Sequence, residues 1–286
     1  MRKHLETDRQ ILWVTYYRNL YNATHPSEIN SPVSLSRNLL AWNQPGTNGL
    51  ILPVNPSASF LSILFANELW FTLGDMTMAE HCAMLSMIFS PRNSGSRMIK
   101  RLAEINLVNG DDEAALKYLR ILDKTLLHKS WAEKRIPGQQ TPRVKEWLEK
   151  KRRDIPTQDQ LRSGNDAVTS LQNLVASNAG NLRAYEYLLC YHLLSKDLRS
   201  FVEDYVPGKV SSPIFAEALL IHLARQGNIR AEELIKYQIP VEIAKEFADY
   251  TRLYEAKDTS LKEKYGKTYW FYYHFATTEP GKESKP

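Results

Sequence analysis

In the stretch from Arg97 to Leu127, apolar residues recur with the period of an α-helix on both sides of a glycine. On the first helix the apolar residues recur at i, i+4 and i+7, which places them on one face: Met98, Leu102 and Ile105. The second helix carries the matching stripe Ala115, Leu119, Leu122 and Leu126. Between them, Gly110 can take the left-handed conformation that ends a helix, and Asp111 can cap the next one. The pattern therefore predicts a helical hairpin.

The same hairpin pattern returns at other places in the chain. Gly74-Asp75 precedes a helix predicted at Met76–Phe89, and Gly110-Asp111 follows about one repeat length later. Two further turns, at Lys196 and Gly227, have a similar spacing. This spacing is close to the roughly 34-residue tetratricopeptide repeat, which pairs two helices and places small residues in the second. We therefore predict an all-α fold, an α-α superhelix of irregular tetratricopeptide-like helical hairpins.

The remaining pattern predicts three regions. Residues 1–56 contain N-terminal helices and a loop rich in Pro, Gly and Asn. Residues 57–276 form the helical-repeat domain, with an irregular basic insert at about 131–156 and an aromatic terminal cap. Residues 277–286 form a disordered tail. The other predicted helices are Asp8–Tyr21, Ser31–Trp42, Ser57–Leu73, a short one around Trp147, 157–177, Asn181–Leu194, Leu198–Tyr205, Pro213–Arg225, Ile229–Tyr237 and Pro240–Ala256.

Composition fits a helical globular chain and adds little about partners. The 286 residues are 43% hydrophobic and 24% charged, and only 12 are glycine. The net charge of +5 is a mild basic excess, which is compatible with an acidic partner but does not by itself predict nucleic-acid binding. The two cysteines, Cys82 and Cys190, each lie in an apolar helical stretch, so we predict buried thiols rather than a disulfide framework or a zinc site.

No membrane span is predicted in the chain as given. The most apolar stretch, Ser59–Leu73, is interrupted by Asn67 and Glu68 and is shorter than the roughly 20 apolar residues that a transmembrane helix needs. We therefore expect a soluble chain, and the sequence does not specify its compartment.

Recognisable catalytic motifs are missing from the sequence. There is no glycine-rich phosphate loop, GxSxG, HExxH or CxxC motif. Cys190 and His192 are too close in sequence to share a helical face, as are His81 and Cys82. Asp111, Asp112 and Glu113 are explained as the acidic start of a helix rather than as a metal site. We predict no catalytic residue, no cofactor and no metal.

Candidate partner-binding residues are basic or aromatic. Arg97, Lys100 and Arg101 follow the first helix of the hairpin and Lys117 and Arg120 the second, where they can bind an acidic peptide tail or a phosphate-bearing group. The other candidates are Trp131, Lys267, Tyr269 and Trp270.

Two runs near these candidates have alternative interpretations. The basic run 150–153 is either a contact for a phosphate or an acidic partner or a solvated helix end, and we favour the helix end. The aromatic run 269–275 is either an exposed partner or membrane-interface patch or a helix that caps the repeat array, and we favour the cap.

Four ordered segments resemble a known family. They are LAEINLVNGDDEAALKYLRILDKTLLHKSWAE, AYEYLLCYHLLSKDLRSF, FAEALL and YGKTYWFYY, within Glu68–Phe275. Together they resemble the C-terminal extramembrane part of an uncharacterised family of bacterial integral membrane proteins. Members of that family usually have several transmembrane helices ahead of this region, and this chain shows none. The resemblance implies no catalytic residues, and it favours a role beside a membrane or a membrane protein.

Two functions follow as hypotheses. The first is a non-enzymatic helical-repeat scaffold that binds a protein partner, in some settings at a membrane. The alternative is a helical-toroid enzyme or ligand-binding module for a carbohydrate or lipid-linked substrate, with Trp13, Trp42, Trp131 and Trp147 lining a cleft. A closed pocket that holds paired carboxylates among these rings favours the alternative.

Overall fold

The computed structural model describes residue 67 and residues 69–89, 91–157 and 167–275. In these residues the only regular secondary structure is helical, which confirms the all-α prediction. A helical segment at 69–73 is followed by the helices α1 (Met76–Phe89), α2 (Pro91–Asn109), α3 (Asp112–Asp123), α4 (Lys129–Glu133), α5 (Pro142–Arg152), α6 (Ala167–Ser177), α7 (Leu182–Leu194), α8 (Leu198–Asp204), α9 (Pro213–Arg225), α10 (Ala231–Lys236), α11 (Val241–Glu255), α12 (Leu261–Tyr265) and α13 (Tyr269–Phe275).

The helices belong to two compact units. The described residues before Glu186 fall within the unit Leu52–Tyr185, and those after Tyr185 fall within the unit that includes Glu186–Pro286. The predicted limits at residues 56 and 276, and the superhelical arrangement of the repeats, remain predictions. The predicted helices Asp8–Tyr21 and Ser31–Trp42 and the predicted tail lie outside the described residues.

The hairpin of α2 and α3 forms as its apolar stripes predict. Its stripe residues Met98, Leu102, Ile105, Ala115, Leu119 and Leu122 are all buried. Leu119 and Leu122 pack with Ala103 and Ala132, and the partly buried Trp131 lies against this cluster. Leu126, however, is 98% exposed, so its assignment to the stripe was wrong. Helix α3 ends at Asp123, and a residue beyond the helix end no longer follows the helical face.

The turns between helices end one helix and start the next, as predicted. Gly74 and Gly110 have φ values of 93° and 81°, the left-handed conformation that glycine adopts without steric cost. The Asp111 carboxylate accepts the Ala114 N–H at 2.9 Å and caps α3. Asp75 caps α1 in the same way through the Met78 N–H, at 2.9 Å. The two Gly-Asp turns therefore have a structural explanation.

Gly74 also packs closely against another part of its unit. A Cβ atom at Gly74 would lie 2.3 Å from the Asp154 carbonyl oxygen and 3.2 Å from the Asn181 side-chain nitrogen. The Asn181 amide donates to the Leu73 and Asp154 carbonyls at 2.7 and 2.8 Å. This contact joins the turn before α1 to the segments that follow α5 and precede α7.

In the unit containing Glu186–Pro286, the short helix α13 lies in the core. Tyr269 and Trp270 have 0% exposure, and the Trp270 indole N–H donates to the Glu217 carbonyl of α9 at 2.9 Å. The Tyr250 hydroxyl of α11 donates to the Trp270 carbonyl at 3.1 Å. These two rings are therefore not part of an exposed aromatic patch, although Phe275 at the helix end is 39% exposed. That α13 caps a repeat array remains a prediction.

None of the helices in the described ranges is long and apolar enough to cross a bilayer.

Candidate functional site

A group of cations and aromatic rings, here called the cation–aromatic cluster, lies within the unit Leu52–Tyr185. It comprises Phe71, Lys100, Arg101, Glu104, Trp131, Arg135, Trp147, Lys151 and Arg183. Five separate segments supply these side chains: the helical residues 69–73, α2, α4 with the turn after it, α5 and the start of α7. The cluster therefore forms only when the unit folds.

Each tryptophan has a cation four positions later in its own segment. Trp147 and Lys151 are both on α5, where residues four apart are neighbours on the helix surface. Arg135 follows the end of α4, and its guanidinium donates to the Trp131 carbonyl at 3.2 Å. Helix α5 begins favourably because Pro142 occupies its first turn after the extended Thr141.

The first half of the cluster, the Trp131 group, consists of Lys100, Trp131 and Arg135. The Arg135 guanidinium carbon lies 4.1 Å from the Trp131 ring centroid, and the Lys100 ammonium lies 4.9 Å from the same ring. Cations at these distances from an indole are stabilised by its electron-rich face, by about 0.5–2 kcal/mol each. The three side chains are partly exposed, so a partner can reach them.

The second half, the Phe71 group, consists of Phe71, Arg101, Trp147 and Lys151. Arg101 and Lys151 lie 3.8 and 4.6 Å from the centroid of the buried Phe71 ring. Phe71 also stacks with Trp147, with ring centroids 6.3 Å apart. Two cations therefore share one apolar ring in a largely desolvated position.

The charges in the cluster are only partly compensated by nearby acids. Arg101 forms an ion pair with Glu104 at 2.9 Å, and their side chains are only 11% and 12% exposed. Burial, followed by the neighbouring Arg183 and Arg101, lowers the pKa of Lys151 to about 8, against the opposing effect of Asp154 and Glu104. Burial also lowers the pKa of Arg135. The local environment thus disfavours positive charge, although several cations converge there.

The structure brings three of the sequence-predicted partner residues together: Lys100, Arg101 and Trp131. Arg101 is not a solvated surface residue, because it pairs with Glu104 and its Nε donates to the Asn67 side chain at 3.2 Å. Arg97 lies on the same helix, α2, and is partly buried.

The other predicted residues lie apart from the cluster. Lys117 and Arg120 are exposed on α3, where Lys117 pairs with Glu113 at 3.2 Å. Lys267 is exposed, and the buried Tyr269 and Trp270 belong to the other compact unit. A partner could contact those two rings only if α13 moved, and their role in binding remains a prediction.

The basic run 150–153 is more than a solvated helix end. The Arg152 guanidinium donates to the Val108 and Leu107 carbonyls at 3.0 and 2.8 Å, at the C-terminal end of α2. Lys151 belongs to the Phe71 group, whereas Lys150 and Arg153 are exposed. Cations at a helix C-terminus satisfy unpaired carbonyls and interact favourably with the helix dipole.

Sequence reasoning missed Phe71, Arg135 and Arg183 as members of a site, and it considered Lys151 only as part of the basic run 150–153. The available signal was the repeated spacing of a tryptophan and a basic residue four positions later, at Trp131 and again at Trp147. That spacing predicts a cation beside each ring, but it cannot predict that residues 80 apart, Lys151 and Phe71, come together.

The buried cysteine and histidine of α7 do not form a nucleophile pair. His192 lies 2.9 Å from the Asp204 carboxylate and is 2% exposed. Burial raises the pKa of the Cys190 thiol, and Glu186 raises it further, so the reactive thiolate is disfavoured. Among the residues that the structure describes, no group of three or more His, Cys, Asp or Glu side chains could hold a metal ion.

Comparison with known proteins identifies the family. No curated protein and no solved structure matches the chain. One family model matches residues 33–276, which is most of the chain and includes every residue that the structure describes. The chain therefore belongs to the DUF6057 family of unknown function.

Proposed function

We propose that this protein is a non-enzymatic helical scaffold and that an acidic segment of a partner protein binds at the Trp131 group. The observation that carries the proposal is the pair of cations held against one partly exposed tryptophan. No carboxylate in the described part of the chain pairs with Lys100. Tryptophan and arginine are the residues most often found at the energetic centre of protein interfaces.

Carboxylates suit this surface chemically. A partner aspartate or glutamate could accept hydrogen bonds from Lys100 and Arg135 while apolar parts of its segment pack on the indole. The ionic contribution would be screened by salt, because the three side chains are partly open to solvent.

The tetratricopeptide-like superhelix and a site of action beside a membrane belong to the same proposal. The repeated Gly-Asp turns support the superhelix, and the sequence resemblance supports the membrane setting.

The alternative role as a carbohydrate or lipid-linked module has less support. It requires tryptophan rings that are open beside paired carboxylates. Trp131 and Trp147 instead have cations near them, and Glu104, the carboxylate of the cluster, is paired with Arg101. Trp13 and Trp42 lie outside the described residues.

The test is affinity capture from solubilised membrane and soluble fractions with the wild type, Lys100→Glu and Trp131→Ala. Lys236→Glu is the matched control, because Lys236 is an exposed lysine of α10 and the charge change is the same. A partner that is recovered by the wild type and the control, and lost with both cluster variants, supports the proposal. If every recovered protein is unaffected by Lys100→Glu and Trp131→Ala, the proposal is wrong.

A further inference from the structure

Three cations of the cluster lie near the stacked rings Phe71 and Trp147. The Lys151 ammonium lies 4.6 Å from the Phe71 centroid, and the Arg135 guanidinium carbon lies 6.0 Å from the Trp147 centroid. Arg183, at the start of α7, donates to the carbonyl of Thr72, the residue after Phe71, and its charge acts on Lys151. Arg135, Lys151 and Arg183 are here called the three-cation site.

These cations have more hydrogen-bond donors than the surrounding protein uses. Lys151 donates to the Phe71 carbonyl and Arg183 to the Thr72 carbonyl, both at 3.4 Å, which is longer than an ordinary N–H···O bond. The Arg135 Nε is buried and has no acceptor among the described residues. Arg135 donates once, to the Trp131 carbonyl at 3.2 Å. An ammonium has three N–H donors and a guanidinium has five, so the described contacts use only part of the donors of the site.

The acids nearby do not balance the three charges. Glu104 is engaged by Arg101 at 2.9 Å, and the remaining acid that acts on Lys151 is Asp154. The pKa of Lys151 is lowered to about 8 by burial and then by Arg183 and Arg101. A bound anion would remove this repulsion and would gain strength from the low dielectric beside two aromatic rings.

We infer that the three-cation site binds a phosphate dianion. Two negative charges and tetrahedrally arranged oxygens match three donor groups that arrive from separate segments, whereas a single carboxylate can satisfy only part of them. The phosphate is either free in solution or carried by a phosphorylated side chain of the partner. In the second case the inference rests on the proposed function, since the Trp131 group shares Arg135 with this site.

The experiment is equilibrium dialysis of the full chain against radiolabelled inorganic phosphate at low ionic strength. We expect saturable binding of one phosphate per chain, weakened about tenfold or more by Lys151→Met and by Arg183→Gln. Lys145→Met is the matched control, because Lys145 is an exposed lysine of the same helix, α5. Circular dichroism checks that each variant is folded. If Lys151→Met does not fold, Arg183→Gln alone tests the inference.

A second measurement uses sulfate, whose charge does not change between pH 6 and pH 9. The pKa of Lys151 is about 8, and Arg183, Arg101, Glu104 and Asp154 are the charged groups that act on it. Sulfate binding should therefore weaken as the pH rises through about 8, where the amine loses its proton. The same decline should be absent in Lys151→Met and present in Lys145→Met.

The source of the phosphate is distinguished with two small probes, N-acetyl-O-phosphoserine amide and N-acetyl-aspartate amide. Tighter binding of the phosphoserine probe than of inorganic phosphate indicates a phosphorylated partner, and the reverse order indicates a free phosphate. In either case the aspartate probe should bind at least about tenfold more weakly than the phosphate compounds.

Failure of this inference is separable from failure of the proposed function. Phosphate binding that does not saturate, or that is unchanged in both Lys151→Met and Arg183→Gln, overturns the inference even if a Lys100-dependent partner is captured. Saturable binding that depends on Lys151 and Arg183 supports it even if no partner depends on Lys100.

Discussion

At the scale of single residues, Gly74 lies where three segments of its unit meet. Its left-handed backbone follows Leu73, whose carbonyl accepts from the Asn181 amide, and a side chain would run into the Asp154 backbone. Gly110 has a similar φ, but nothing lies within 4 Å of the position that its Cβ would take. The two glycines therefore separate the effect of backbone strain from the effect of packing.

Gly74→Ala should lower the free energy of unfolding by ~3 kcal/mol, because strain and overlap with Asp154 both act. Gly110→Ala should cost only about 1 kcal/mol, because strain acts alone. Urea denaturation followed by circular dichroism measures both values. Equal losses in the two variants would show that overlap with Asp154 adds nothing to the cost of the Gly74 substitution.

Glu217 is a partly buried acid whose ionisation opposes folding. Burial and, to a smaller extent, Glu246 raise its pKa to about 7, although the hydrogen bond that it accepts from the Tyr269 backbone N–H has the opposite effect. Between about pH 4.5 and 7 the folded chain therefore holds a proton that the unfolded chain has lost. The contribution of Glu217 to stability falls as the pH rises through this range.

Glu217→Gln removes this titration and keeps an oxygen acceptor for the Tyr269 N–H. At pH 8 the variant should be more stable than the wild type by ~2 kcal/mol, and the two should agree at pH 4, where Glu217 is protonated in both states. Urea denaturation at both pH values provides the measurement. The exposed Glu263→Gln is the control and should show no such pH-dependent difference.

At the scale of elements, the same stop-and-start turn recurs. Gly74, Gly110 and Lys196 are left-handed, and each is followed by an aspartate whose carboxylate accepts a backbone N–H at the start of the next helix. The N–H of each of these aspartates donates to a carbonyl five residues earlier. One turn geometry thus ends one helix and caps another.

Asp111→Ala should therefore destabilise the chain by about 1 kcal/mol, the usual value of an N-terminal cap. Asp112→Ala is the matched control: it removes the same charge from the first turn of α3 but no cap bond. The difference between the two variants in urea denaturation isolates the cap. A larger loss from Asp112→Ala would contradict the assignment.

The sequence predicts the elements better than it predicts the site. Met76–Phe89 and Pro213–Arg225 have the predicted bounds, because proline, glycine and apolar periodicity mark their ends locally. Helix α12 has only five residues, too few to show a period. Lys100 and Trp131 can be proposed from local charge and ring content, but their proximity depends on packing between helices. Local patterns therefore describe helices, whereas the cluster depends on contacts distant in sequence.

At the scale of the whole molecule, each compact unit contains one buried free cysteine. Cys82 lies in the unit Leu52–Tyr185 and Cys190 in the unit that includes Glu186–Pro286, and both have 0% exposure. Burial raises the pKa of Cys82 to about 12, and it also raises that of Cys190. Both thiols are therefore protected in the folded chain, and the reactivity of each reports whether the region around it has opened.

The two thiols should react with a disulfide reagent at least about 100-fold more slowly in the native protein than in 8 M urea. Cys82→Ala and Cys190→Ala each leave one thiol and so report one unit. If both thiols become reactive at the same urea concentration, the units unfold together; separate midpoints show independent unfolding. Rapid labelling of either thiol without urea would contradict its burial.

The Asn181 contact has a consequence for how the chain is made. Asn181 donates to the Leu73 carbonyl, 108 residues earlier, and to the Asp154 carbonyl, and it accepts the Ala184 N–H at the start of α7. A nascent chain can form the hairpin of α2 and α3 from neighbouring residues, but it cannot complete this closure until Asn181 has left the ribosome. During that interval the carbonyls of Leu73 and Asp154 lack this partner. The rate of translation between these positions therefore sets how long an unfinished unit is exposed to chaperones and proteases.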